Sequence, residues 1–131
     1  MLEGKKDVVA QPIDGDVLAK LRQLQESDEP DIVTEVCELY VKHAPEKISA
    51  IEKAAENGDA KGLQIAAHSL KSSSSYVGAM KLAEICRELE QMGRSGLMDN
   101  AKDKTKSAKV EYFRVISALQ FEIELAKQSS D

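Results

Sequence analysis

The 131 residues are enough for one packed domain and short for two, and 42% hydrophobic with 31% charged residues argues for a globular rather than a disordered chain. A net charge of −5 and a pI near 5.1 disfavour nucleic acid as a partner. No apolar run is long enough to cross a bilayer, so no membrane contact is expected, and the start MLEGKKDVVAQ lacks the apolar centre of a cleavable signal.

Three prolines, seven glycines and no tryptophan leave little turn chemistry, which favours a few long helices. Residues 1–12 read as a lead-in or linker, and 13–128 as the folded domain. Asp14 or Asp16 can cap a short first helix with the apolar stripe Val17, Leu18, Leu21 and Leu24. The stretch QESDEPD breaks it; Ser27 or Asp28 can cap the second helix, with Pro30 in its first turn. That second pattern runs from about Asp31 to Asn57, with Ile32, Val33, Val36, Tyr40, Ala44, Ile48, Ile51 and Ala55 on one face. Pro45 lies inside it, which predicts a bend or a break into two helices. Asn57-Gly58 is a stop signal, and Asp59 can start the next helix.

The third helix should run from about Asp59 to Val77 and close at Gly78. A fourth holds Leu82, Ile85, Cys86, Leu89 and Met92 and ends near Gly93 to Gly96. The polar stretch MDNAKDKTKS reads either as a loop or as the first turns of a last helix. Val110, Phe113, Ile116, Leu119 (or Gln120) and Ile123 mark that helix to about Gln128. The expected fold is all-α: an up-down antiparallel four-helix bundle with a short additional N-terminal helix. Cys37 and Cys86 lack CxxC spacing and sit at apolar helical positions, which suits buried thiols in a reducing, cytoplasmic setting.

Residues 66–90 read AAHSLKSSSSYVGAMKLAEICRELE, and four consecutive serines are unexpected in a helix, because their hydroxyls compete for backbone hydrogen bonds. At about 100° per residue, Leu63, Ala66, Leu70 and Val77 share one side of the third helix. His68 falls opposite them, with Gln64, Lys71, Ser72 and Ser75 around it; Ser73 and Ser74 flank the core. An exposed imidazole can act as nucleophile, base or metal ligand. No cluster at ligand spacing accompanies His68, so no metal is expected, and His43 belongs to another helix. A convex face with one histidine and one lysine lacks the parts of a hydrolase, which leaves covalent group transfer. Periodicity alone still leaves an ordinary surface histidine as the commoner reading.

The stretch Ala67-His68-Ser69-Leu70-Lys71, then Val77-Gly78-Ala79, Leu82-Ala83, Cys86 and Leu89-Glu90, resembles the signature of histidine-containing phosphotransfer (HPt) domains. The resemblance extends over about residues 14–126. It implies a four-helix bundle whose histidine accepts a phosphoryl group from a receiver-domain aspartate and passes it to another receiver. His68 would be the phosphorylated residue, through Nε2, with Lys71 stabilising the phosphoryl group and Glu90 orienting the histidine; Gln64 competes for that last role. Gln64, Ile65, Ser72, Ser75, Tyr76 and Gly78 would form the docking surface, Gly78 keeping it flat. The family's usual glycine after the lysine is Ser72 here, the next-smallest polar choice.

The chain would then be a stoichiometric carrier and not an enzyme. It holds no nucleotide-binding loop and needs no cofactor, and any Mg²⁺ would sit on the receiver. The expected partners are response-regulator receiver domains, and a hybrid sensor histidine kinase whose terminal domain this could be; a monomer is expected. A rival reading is a non-catalytic HPt-like module that inhibits or scaffolds a kinase or receiver. Another is a kinase dimerisation domain, which would call for a dimer and a following ATP-binding domain.

Overall fold

The computed structural model describes residues 11–25 and 31–129. Among these residues five helices occur in order: α1 Gly15–Leu24, α2 Ile32–Asn57, α3 Ala60–Tyr76, α4 Met80–Ser95 and α5 Ala101–Ser129. No strand occurs among the described residues. The last four form an antiparallel bundle in which α2 packs on α3, α3 on α4, α4 on α5, and α5 back on α2. Thus α3 and α5 occupy diagonal corners. The short α1 leans on α2.

The helix starts arise from side-chain oxygens that accept otherwise orphaned amide hydrogens. Asp14 accepts from the Asp16 amide at 3.0 Å, Asp31 from Thr34 at 3.1 Å, and Asp59 from Gly62 at 2.9 Å. Asp31 is thus the cap of α2; the alternatives Ser27 and Asp28, and Pro30, lie outside the described residues. Residues 1–10 of the lead-in do so too. Gly58 (φ 66°) and Gly96 (φ 77°) close α2 and α4 in the left-handed conformation that favours glycine.

Pro45 does not split α2, which is one continuous helix. Its ring lies on the exposed face, one residue from buried Ala44, so the carbonyl it frees can turn toward water.

The core is built from Leu18, Val33, Ile51, Leu63, Leu70, Leu82, Leu89, Val115 and Leu119. Within α1 only Leu18 is fully buried, and Leu24 is exposed. One polar pair inside the core satisfies itself: the Tyr40 hydroxyl lies 2.8 Å from Ser74 Oγ. Burial pushes the Tyr40 phenol well above its ordinary range.

The α5 stripe differs from the expected one. Ala101, Thr105, Ala108, Tyr112, Val115, Leu119 and Ile123 face the core, whereas Val110 and Phe113 are 64% and 57% exposed. The helix begins at Ala101, so the polar stretch contributes its first turns and carries the small buried residues Ala101 and Ala108. Bulk misled the reading: the small Ala101 and Ala108 lie inside and the larger Val110 and Phe113 outside, because rotational phase rather than size decides which side chains face the core.

Candidate functional site

The serine run divides by what each residue faces. Ser74 is fully buried against Tyr40, while Ser73 donates to the Ser69 carbonyl at 2.8 Å and accepts from Lys47 Nζ at 2.8 Å. Ser72 and Ser75 are exposed on the same face as His68. Small residues here do two jobs at once, letting α2 approach α3 on one side and leaving the imidazole uncovered on the other.

The His68 side chain is 60% exposed, and its Nδ1 lies 3.0 Å from Glu90 Oε2, on a carboxylate side chain only 6% exposed. Lys71 Nζ sits 2.7 Å from Glu90 Oε1, and Arg94 donates to Oε2 at 3.1 Å. A buried carboxylate is tolerated only with such partners. The hydrogen bond from Lys71, followed by that from His68, holds the Glu90 carboxyl below its ordinary value of 4.5. Glu90 is therefore an anion at neutral pH. An ionised carboxylate can only accept, so the imidazole hydrogen resides on Nδ1 and the Nε2 lone pair is available as a nucleophile.

Gly93 sets the distance over which this happens. A Cβ there would lie 2.6 Å from the Ala60 carbonyl oxygen and 2.6 Å from the Gln64 amide nitrogen. The backbones of α3 and α4 thus meet at glycine, one helical turn from both His68 and Glu90. That contact lets a short carboxylate reach across to the imidazole.

Of the expected docking residues, Ile65 and Tyr76 expose apolar side chains beside the site, Ser72 and Ser75 are open, and Gln64 is half-buried. Gly78 is a correction. It is buried, at φ 83°, and a Cβ there would lie 2.8 Å from the Asp14 carbonyl oxygen and 3.1 Å from Val17 Cβ. Its carbonyl accepts from the Asp14 amide at 2.7 Å. The residue is glycine because the start of α1 packs on it, so it cannot present a flat surface to a partner.

Two residues of the site escaped sequence reading. Arg94 was legible in principle, as a basic residue four places after Glu90 on an amphipathic helix. Gly93 read as punctuation, because nothing local separates a packing glycine from a terminating one. His43 lies on α2, beside a groove lined by Leu39, Tyr40, Lys47, Tyr76 and Val77, and not at His68. Among the described residues, no group of three or more His, Cys, Asp or Glu side chains could hold a metal ion, and no helix is long and apolar enough to cross a membrane.

The chain is similar to several known proteins. The family model described as Hpt domain matches residues 35–127. The chain is 30% identical over 92 residues to multistep phosphorelay regulator 1 of Schizosaccharomyces pombe, covering 67% of this chain and 31% of that protein. It is 34% identical over 79 residues to histidine-containing phosphotransfer protein 4 of Arabidopsis thaliana, covering 59% of this chain and 62% of that protein. The crystal structure of histidine-containing phosphotransfer protein B from Pseudomonas aeruginosa PAO1 superposes with a TM-score of 0.80 at 30% identity, covering 88% of this chain and 96% of that one.

Proposed function

The chain belongs to the Hpt domain family, and from that premise we propose that His68 carries a phosphoryl group between receiver domains of a multistep phosphorelay. The observation that carries this reading is the contact of His68 Nδ1 with the buried Glu90 carboxylate, on an imidazole otherwise open to solvent.

The Nε2 lone pair attacks the phosphorus of an acyl phosphate on the receiver. The N–P bond forms as the P–O bond to the receiver's aspartate breaks, and the released carboxylate keeps the electron pair. The proton on Nδ1 stays in place, so positive charge accumulates on the imidazole as transfer proceeds. Glu90 lies where that charge develops and is already ionised, and such preorganised groups lower a barrier most. Lys71 holds Glu90 through one ammonium hydrogen and has others to offer the phosphoryl oxygens. The reverse sequence returns the group to a second receiver, so the chain acts as a stoichiometric carrier.

Docking brings Ile65 and Tyr76 under apolar surface of the receiver, with Ser72 and Ser75 leaving room for its acidic pocket and the Mg²⁺ bound there. A cytoplasmic site of action accords with these partners, among them the receiver of a hybrid sensor kinase.

The test is transfer from a phosphorylated receiver to the wild-type chain and to His68→Gln. Acid-labile, alkali-stable label on the wild type alone is the expected result. Tight receiver binding without any label would instead favour a non-catalytic scaffold.

A further inference from the structure

Glu90 faces Lys71, His68 and Arg94 with a single negative charge. Lys71 Nζ lies 2.7 Å from Oε1, whereas His68 Nδ1 at 3.0 Å and Arg94 Nη2 at 3.1 Å converge on Oε2. The imidazole and the guanidinium therefore draw on the same oxygen. The second contact is built into α4. Arg94 follows Glu90 by one helical turn with the acid on the N-terminal side, the favoured order for such a pair. It also stands in the last turn of α4, where the helix dipole favours a cation. Its side chain is 53% exposed, so it reaches the buried carboxylate from the solvent side.

We propose that Arg94 is a positioning residue that sets how readily His68 gives its phosphoryl group away, by drawing part of the Glu90 charge off the imidazole. The inference rests on the reading of His68 as a phosphoryl carrier. With the hydrogen held on Nδ1, formation of the N–P bond leaves a positive charge on the ring. A carboxylate oxygen that faced the ring alone at 3.0 Å would stabilise that charge strongly. His68 would then load easily and discharge slowly. A guanidinium on the same oxygen opposes the ring charge, and it stays ionised at every working pH, so its opposition is constant. The phosphoryl group sits on Nε2, the ring nitrogen turned away from Glu90, so a guanidinium held on Oε2 acts first on the ring. Arg94 thus works against Glu90 during loading and with the leaving imidazole during discharge. A carrier has to run in both directions, and the shared oxygen keeps the two in balance. A purely structural Arg94, one that only held Glu90 in place, would have the opposite sign: its loss would loosen the carboxylate and slow loading.

Phosphoramidate labelling of the full chain, and loss of the label in water, measure the two directions without a partner. The label counted is that which His68→Gln lacks. In loading, the bond from Nε2 to phosphorus forms as the P–N bond of the reagent breaks, and ammonia leaves with the electron pair. In discharge, a water oxygen bonds to phosphorus, the electron pair returns to Nε2, and the water proton passes to solvent.

Arg94→Gln should load about threefold to tenfold faster than wild type and lose its label more slowly by a similar factor. Arg94→Lys restores the charge and should bring both rates back toward wild type. In a Glu90→Gln background, where no carboxylate is shared, Arg94→Gln should change each rate by less than about twofold. Circular dichroism checks that each variant is folded. Slower loading by a folded Arg94→Gln chain overturns the proposal, as do two rates that move together or not at all. A full effect in the Glu90→Gln background overturns the route through Glu90. An unlabelled wild type overturns the carrier reading itself, and this inference with it.

Discussion

Replacing Gly93 by alanine tests whether the site depends on the distance between two backbones. The added Cβ would sit 2.6 Å from two backbone atoms of α3, against 3.4 Å for ordinary contact, a deficit of about 0.8 Å. Backbone atoms of a helix cannot turn aside as a flexible side chain can, so α4 must move outward. Overpacking of this kind costs about 1–3 kcal/mol, offset by about 1 kcal/mol from the better helix propensity of alanine. The net loss of roughly 1 kcal/mol lowers Tm by about 4 °C, and the fold survives. The site is affected more strongly. A displacement of about 0.8 Å takes the His68–Glu90 contact from 3.0 Å beyond hydrogen-bonding range. A hydrogen bond to a charged group contributes about 1.5–3 kcal/mol, so phosphorylation should slow about 10- to 100-fold. Phosphoramidate is the donor of choice, because it labels histidine without docking and isolates the chemistry from partner recognition. Gly15→Ala is the control: a Cβ there meets nothing within 4 Å, and its labelling rate should equal wild type. A folded Gly93→Ala chain labelled within about twofold of wild type would refute the reasoning, since it would mean that the carboxylate contact does not govern the nucleophile.

Ser75→Trp should slow transfer from a phosphorylated receiver about tenfold or more while leaving phosphoramidate labelling unchanged, because Ser75 is exposed and touches neither His68 nor Glu90; equal loss in both assays would contradict a docking role. Gly78→Ala combines a left-handed φ with a clash against the start of α1, so thermal unfolding should show a loss of about 2–4 kcal/mol with phosphoramidate labelling of the folded fraction intact. Unchanged stability with weakened receiver binding would return Gly78 to the docking surface. For Glu90, whose carboxyl is held below 4.5, the sign is that of a depressed acid. Its contribution to stability is full above the unfolded value of 4.5 and is lost as pH falls through the lower folded value. Glu90→Gln should therefore flatten the acid limb of a stability–pH curve below about 4.5, measured by urea unfolding, and an unaltered limb would argue that the carboxylate gains nothing from its partners.

Much of the fold was legible because its signals are local. Asp14 and Asp59 cap helices at the places their spacing indicated, and Gly58 ends α2 in the conformation that favours glycine. The face opposite Leu63, Ala66 and Leu70 pointed His68 outward, and its imidazole is exposed. What escaped depends on distances between helices. The buried side of α5 begins with the small residues Ala101 and Ala108, so ranking residues by hydrophobicity selected Val110 and Phe113 instead. Gly93 and Gly78 look like turn residues in one dimension and act as contact points in three. Pro45 could be tolerated only because it fell on the solvent side of its helix, which depends on rotational phase and not on proline itself.

The two cysteines belong to different seams of the bundle. Cys37, on α2, lies near Arg22 of α1 and Glu122 of α5, and Cys86, on α4, lies toward Lys71 of α3. Burial pushes their thiols up to about 11 and about 12, so at neutral pH almost none is in the thiolate form that reacts with alkylating reagents. Each can be modified only while its own helices are apart. Helix pairs open with different free energies, and the order in which the two sulfurs are alkylated in native buffer therefore dates the parting of one seam against the other. The chain carries a pair of chemical clocks, started by its own breathing and read by mass.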